Sequence, residues 1–201
     1  MTIHIKCHIA YEKNISGSGN IVKYGRAIID ATDTSEIMLE DDLILGENIR
    51  KNSSAETYLK LHENSRLIVR HKYKAFFGSS IELIRNAVLT LGQGYINTGG
   101  AIACAKSISI GNGVFIGRNT YITDSDHHVI YDTNRNVLNE PMPVCIKDHV
   151  LIGYGAVVLK GVTIGDGSVI GASSIVTSDI PPKCLAVGNP ARVIREGIEW
   201  R

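Results

Sequence analysis

The sequence lacks an excess of either charge, with 21 Lys and Arg against 20 Asp and Glu in 201 residues. Such a balance supplies no broad field to draw the chain to nucleic acid or to an anionic membrane surface. Partners must therefore be argued from sites. No apolar run approaches the roughly 18 residues of a spanning helix, which argues against an integral membrane segment. Aromatics make up only 6%, as suits a narrow interior filled by Ile, Val and small residues. The four cysteines, Cys7, Cys104, Cys145 and Cys184, are scattered without CxxC spacing, and the chain opens without a basic and apolar signal segment. These absences predict a reduced, cytosolic protein.

What is present is a repeat. An aliphatic residue returns every six positions at Ile110, Ile116 and Ile122, and again at Ile146, Ile152, Val158, Ile164, Ile170 and Val176. Two positions before most of these anchors runs a second, smaller series that includes Val114, Thr120, Val150, Ala156, Val162, Ser168 and Ser174, and glycine often follows the anchor directly. A period of six fits neither an α-helix nor a lone strand. It is the signature of a coiled β-solenoid, whose units are a short strand plus a turn and bury their apolar side only by stacking. Three faces per turn place the anchors inward, with glycine at tight corners.

Upstream, Ile37 to Leu43, Leu61 to Leu67 and Leu83 to Leu89 keep the spacing, but the phase slips between them. The chain therefore reads as a single domain over 1–201: irregular N-terminal coils over 1–80, a regular solenoid over 81–181 with a loop at 123–145, and a short tail over 182–201. The pattern around 47–62 leaves room for an amphipathic helix.

The ladder is interrupted once, between Ile122 and Ile146, by a polar segment rich in turn formers. A rigid scaffold that extrudes one polar loop usually does so for function. That loop carries His127 and His128 beside Asp124 and Asp126. Imidazole titrates near neutrality and acts as a general base when it lifts a proton from an attacking hydroxyl. The bland alternative, a solvated polar loop, is the commoner fate of an isolated histidine pair; placement at the one break in the ladder favours catalysis.

At this point a resemblance becomes specific. The loop Asp-His-His-Val-Ile-Tyr-Asp, the run from Val150 to Pro182 and the tail Val187-Gly-Asn-Pro-Ala-Arg-Val-Ile-Arg resemble the hexapeptide-repeat acyltransferases, most closely the sugar and polysaccharide O-acetyltransferases. The match spans about 95 to 200. It implies an all-β, left-handed parallel β-helix, although the general rule for parallel crossovers would give the opposite hand. It also implies transfer of acetyl from acetyl-CoA to a sugar or polysaccharide hydroxyl, no required metal, and a homotrimer with sites between subunits.

Residue by residue, the resemblance makes a loop histidine the base. Counting back from Ile130-Tyr131-Asp132, as in sialic acid and capsule O-acetyltransferases, lands on His128, the preferred assignment. Counting forward from Ile110 and Ile116, as in galactoside and maltose acetyltransferases, lands on His127. The positions matching those that hold the pantetheine and nucleotide are Gly153, Ala172, Thr177, Arg192 and Arg195. Small residues let backbone amides approach the thioester, and arginines suit phosphates. For Gly153 and Ala172 alone, solenoid packing explains the residue equally well. Tyr95 and Asn97 match acceptor contacts, and Asp126 is counted with them. A carboxylate that the galactoside enzymes carry falls here on Ala105, which argues against simple galactosides.

Three other readings remain. The same scaffold N-acetylates amino sugars or amino acids. A γ-type carbonic anhydrase would need three zinc-binding histidines, with His149 as the next candidate after the loop pair. A solenoid used only for assembly would need none of these residues.

Overall fold

The computed structural model describes residues 14–201; the first 13 residues, with Cys7 and the start of the N-terminal coils, lie outside the described residues. Short strands follow one another around three faces and pair, coil on coil, into sheets of seven, nine and seven strands. The first sheet begins at Ile15–Gly17 and ends at Thr163–Ile164, the second runs from Ile21–Lys23 to Arg192–Arg195, and the third from Arg26–Ala31 to Ile175–Val176. Within the sheets, every strand pairs in parallel except the last, Arg192–Arg195, which turns back against Leu185–Val187. This is the left-handed parallel β-helix that the resemblance implied.

The six-residue anchors are its vertical core. Ile110 pairs with Ile146 and Ile146 with Ile164 in the first sheet. Ile152 and Ile170 pair in the second, and Ile122, Val158 and Val176 stack in the third. All of them are buried to within 2%. Full burial of such a side chain stabilises by about 1.5–3 kcal/mol, and stacking makes each anchor depend on its neighbours in the coils above and below. At the corner after Ile152 the next coil lies so close that a Cβ on Gly153 would stand 2.6 Å from the Ala172 nitrogen. Glycine is required there by packing alone.

The irregularity expected over 1–80 gives way, from Ile15, to strands of the same three sheets. Ile37 pairs with Leu67, Leu67 with Leu89 and Leu89 with Ile108. The six-residue phase slips because these coils have longer turns than the later ones, where Cys145 pairs with Thr163. The longest turn separates Leu43–Glu47 from Glu56–Leu61. The helix for which 47–62 left room is absent: that stretch holds this turn and a strand, and no α-helix occurs among the described residues.

Candidate active site

The excursion leaves the third sheet after Tyr121–Thr123 and rejoins the first sheet at Val144–Ile146. Its foot is Asp124, which is fully buried. A carboxylate in such a place is costly unless hydrogen-bonded. Asp124 accepts the backbone N–H groups of Ala105 at 2.6 Å, Lys106 at 2.8 Å and Ser107 at 2.6 Å, all from the corner one coil earlier. The loop thus leaves the rod from a fixed point. Beyond it, Tyr131 bridges Val137 in antiparallel fashion, and Asp132 accepts from the Asn134 and Asn136 backbones, closing a small hairpin.

The two histidines sit in a strained turn. His127 has φ of 62°, and the His128 N–H donates across it to the Asp126 carbonyl at 2.7 Å. This pattern is the rare γ-turn with positive φ, and a non-glycine residue so placed costs on the order of 1–3 kcal/mol and persists only when its surroundings hold it. Several groups do. The Ser125 hydroxyl accepts the His127 N–H at 2.9 Å, and the Tyr121 hydroxyl meets His127 Nε2 at 2.6 Å. The Asn139 side-chain amide donates to the His128 carbonyl at 2.7 Å, and its oxygen accepts the Ile130 N–H at 2.7 Å. With the His127 imidazole bound to Tyr121, the His128 ring makes no hydrogen bond among the described residues.

Both histidines line a cleft of about 320 Å³, walled by Ile84, Ala105, Val129, Tyr131 and Pro141 among others. Asp126, expected to contact acceptor, directs its Oδ2 to Lys160 Nζ at 2.6 Å and Asn139 Nδ2 at 3.0 Å. The Lys160 ammonium, followed by the Asn139 amide, holds this carboxyl below the usual carboxylate range. Tyr121, Asn139 and Lys160 were not singled out in the sequence. Their contacts join positions 6 to 34 residues apart, and no periodicity announces them.

The remaining expected positions lie elsewhere on the chain. Gly153 and Ala172 stack at the corner between the second and third sheets, where the Gly153 N–H donates to the Ile170 carbonyl, and Thr177 is exposed just after the strand Ile175–Val176. A spacing of three would set Arg192 and Arg195 on opposite faces of a strand. An irregularity in the pairing instead puts Arg195 opposite Leu185 and Arg192 opposite Val187, so that both arginines share one exposed face. Tyr95 lies on the outer face of the second sheet, stacked between Phe76 and Phe115 at centroid distances of 5.2 and 4.8 Å. Asn97 accepts the Thr98 N–H, a local turn contact. None of these seven residues lines the histidine cleft of the same chain. His149, third histidine of the zinc alternative, stacks on Trp200 at 4.1 Å and does not line that cleft either.

The class follows from the fold and the repeat. Residues 146–178 match the family described as bacterial transferase hexapeptide, six repeats. The repeat over these residues and the helix built on it are similar to those of the hexapeptide-repeat transferases. Among particular proteins, the chain is similar to a galactoside O-acetyltransferase of Escherichia coli strain K12, at 41% identity over 120 residues covering 60% of this chain and 56% of that one. A galactoside O-acetyltransferase of Lactococcus lactis subsp. lactis strain IL1403 is 38% identical over 102 residues, 51% of this chain and 49% of its own. A solved polysialic acid O-acetyltransferase aligns over 93% of this chain and 90% of its own, at 26% identity and a TM-score of 0.62. The chain spans about half the length of the curated relatives it matches.

Proposed function

We propose that the protein transfers acetyl from acetyl-CoA to a hydroxyl of a sugar or polysaccharide unit, with His128 as general base. The observation that carries this reading is the histidine turn: the ladder's interruption from Thr123 to Val144 holds two imidazoles at a cleft in a backbone conformation that its surroundings must maintain. The names of the similar proteins, sugar O-acetyltransferases, support the substrate class.

In this mechanism the neutral His128 imidazole takes the acceptor's hydroxyl proton as the oxygen attacks the thioester carbonyl. A backbone N–H near the thioester stabilises the tetrahedral oxyanion. Collapse breaks the carbon–sulfur bond, and the imidazolium returns its proton to the departing sulfur, so that free CoA and the acetyl ester leave. Gly153 and Ala172 offer the pantetheine an amide-lined corner; Thr177, Arg192 and Arg195 offer polar and cationic groups farther along. Tyr95 and Asn97 contact the acceptor.

We further propose a homotrimer. The histidine cleft and the acetyl-CoA positions occupy different corners of one chain, so that facing copies complete each site. Val129, Ile130 and Leu138 on the excursion are 57%, 53% and 63% exposed and supply apolar surface for the contact. Cys104, Cys145 and Cys184 are free thiols, which fits a cytoplasmic setting.

The test is an acceptor screen with acetyl-CoA that follows thiol release across capsule, lipopolysaccharide and simple sugars, each also offered with an amine in place of the hydroxyl. Release with a hydroxyl acceptor supports the reading. Release with amines alone replaces it by N-acetylation, and light scattering that shows an active monomer defeats the trimer.

A further inference from the structure

We propose that Asn139 and Lys160 are positioning residues for the reaction, clamping the histidine turn so that the His128 ring stays aimed into the cleft. The inference rests on His128 serving as base. Asn139 spans both flanks of Val129: its Nδ2 donates to the His128 carbonyl and its Oδ1 accepts the Ile130 N–H, each at 2.7 Å. The same Nδ2 reaches Asp126 Oδ2 at 3.0 Å. One amide therefore fixes the main chain on both sides of Val129, where it leaves the turn, and meets the side chain of Asp126, where the turn begins.

Lys160 ties that amide to the rod. It stands between the strands Val157–Val158 and Thr163–Ile164, one coil beyond the excursion. Its Nζ donates to Asp126 Oδ2 at 2.6 Å and to the Asn139 carbonyl at 3.1 Å. The side chain is only 20% exposed, so its stem is held along the rod and its head cannot follow a wandering loop. A charge-assisted bond of this length is among the stronger hydrogen bonds available to a side chain.

The clamp is distinct from what folds the excursion. Its hairpin has its own ties: the Leu138 N–H to the Ile130 carbonyl, the Met142 N–H to the Asp124 carbonyl, and the Gly161 N–H to the Met142 carbonyl. Loss of the Lys160 ammonium leaves all of these in place. What it releases is Asp126, the first residue of the turn, and Asn139, which holds the His128 carbonyl. The expected consequence is a histidine misplaced by a fraction of its own size, which positioning arguments equate with losses of about a hundredfold per ångström.

The experiment compares Lys160→Met, Lys160→Arg and Asn139→Ala with wild type in two measurements. The first is steady-state acetyl transfer. Lys160→Met and Asn139→Ala should lower kcat by about 30- to 100-fold while KM for acetyl-CoA stays within about twofold, and Lys160→Arg should recover most of kcat. The second is native-state hydrogen exchange, which needs no activity. Exchange at the His128 and Ile130 amides should rise at least about tenfold in Lys160→Met and Asn139→Ala, with Leu138 and Met142 unchanged. Unaltered kcat, or exchange that rises across the whole excursion, overturns the proposal. Should wild type transfer acetyl to no acceptor, the reading of function falls on its own, and the exchange pattern alone decides the clamp: a local rise at His128 and Ile130 supports it and no rise refutes it.

Discussion

The ladder over 146–178 and the excursion over 123–145 solve the same problem in opposite ways. In the ladder the strand N–H groups bond carbonyls of the neighbouring coil and the buried anchors repeat; side-chain bonds such as Asp166 to the Asp148 N–H and Asp179 to the Thr163 N–H supplement this at the corners. In the excursion the main chain is held chiefly by particular side chains: the Asp124 carboxylate at its foot, Asp132 in its hairpin, Asn139 and the Ser125 hydroxyl at the histidine turn. The first arrangement tolerates many sequences of the right pattern. The second depends on individual functional groups, and it can hold a backbone conformation that a regular strand excludes. Rigid repetition thus supplies the frame against which a strained turn is kept.

Breaking the ladder has the largest expected effect. Ile152→Ala removes a fully buried anchor between Ile116 and Ile170 and should cost about 2–5 kcal/mol in denaturant unfolding. Activity per folded molecule should change little. A loss of stability below about 1 kcal/mol would mean that neighbouring coils collapse into the gap.

Breaking the excursion at its foot costs less stability and more chemistry. Asp124→Ala leaves the amides of Ala105, Lys106 and Ser107 without their acceptor; these residues are half-buried or exposed, so water can replace the carboxylate and the total loss should be about 1–3 kcal/mol. Transfer measured well below the melting temperature should fall in kcat more than in KM. Equal stability for Asp124→Ala and wild type would remove the buried carboxylate from the account.

The smallest effect concerns acid. Asp126 is held below the usual carboxylate range, first by the Lys160 ammonium and then by the Asn139 amide. A depressed folded value means that this group's contribution is complete above the unfolded carboxylate value of about 4 and is lost as pH falls through the lower folded one. The clamp therefore stays intact between pH 5 and 8. His128 amide exchange, corrected for intrinsic rates, should be flat over that range and should accelerate only in stronger acid, and Asp126→Asn should abolish that acid dependence.

How much of this was legible in sequence follows from the same contrast. Ile110 to Val176 announced itself because identical geometry repeated at identical spacing. The earlier coils share the sheets, yet Ile37 with Leu67 and Leu89 with Ile108 lie at unequal separations, and a six-residue count loses its phase when turns differ in length. His127 and His128 stood out by their place at the break. Tyr121, Asn139 and Lys160 did not, because their contacts exist only once the loop has folded back on the rod. The shared face of Arg192 and Arg195 was likewise hidden, since it depends on one irregularity in pairing.

The most direct test of the central claim is acetyl transfer to a hydroxyl acceptor near pH 7.5 by His128→Ala and His127→Ala, with folding of each variant checked by its unfolding transition. His128→Ala should lose about 10²–10⁴ in kcat, the usual contribution of a general base, while His127→Ala, which removes only the partner of Tyr121, should keep at least about a tenth of the activity. Wild-type turnover by His128→Ala, or the full loss appearing in His127→Ala alone, would contradict that claim.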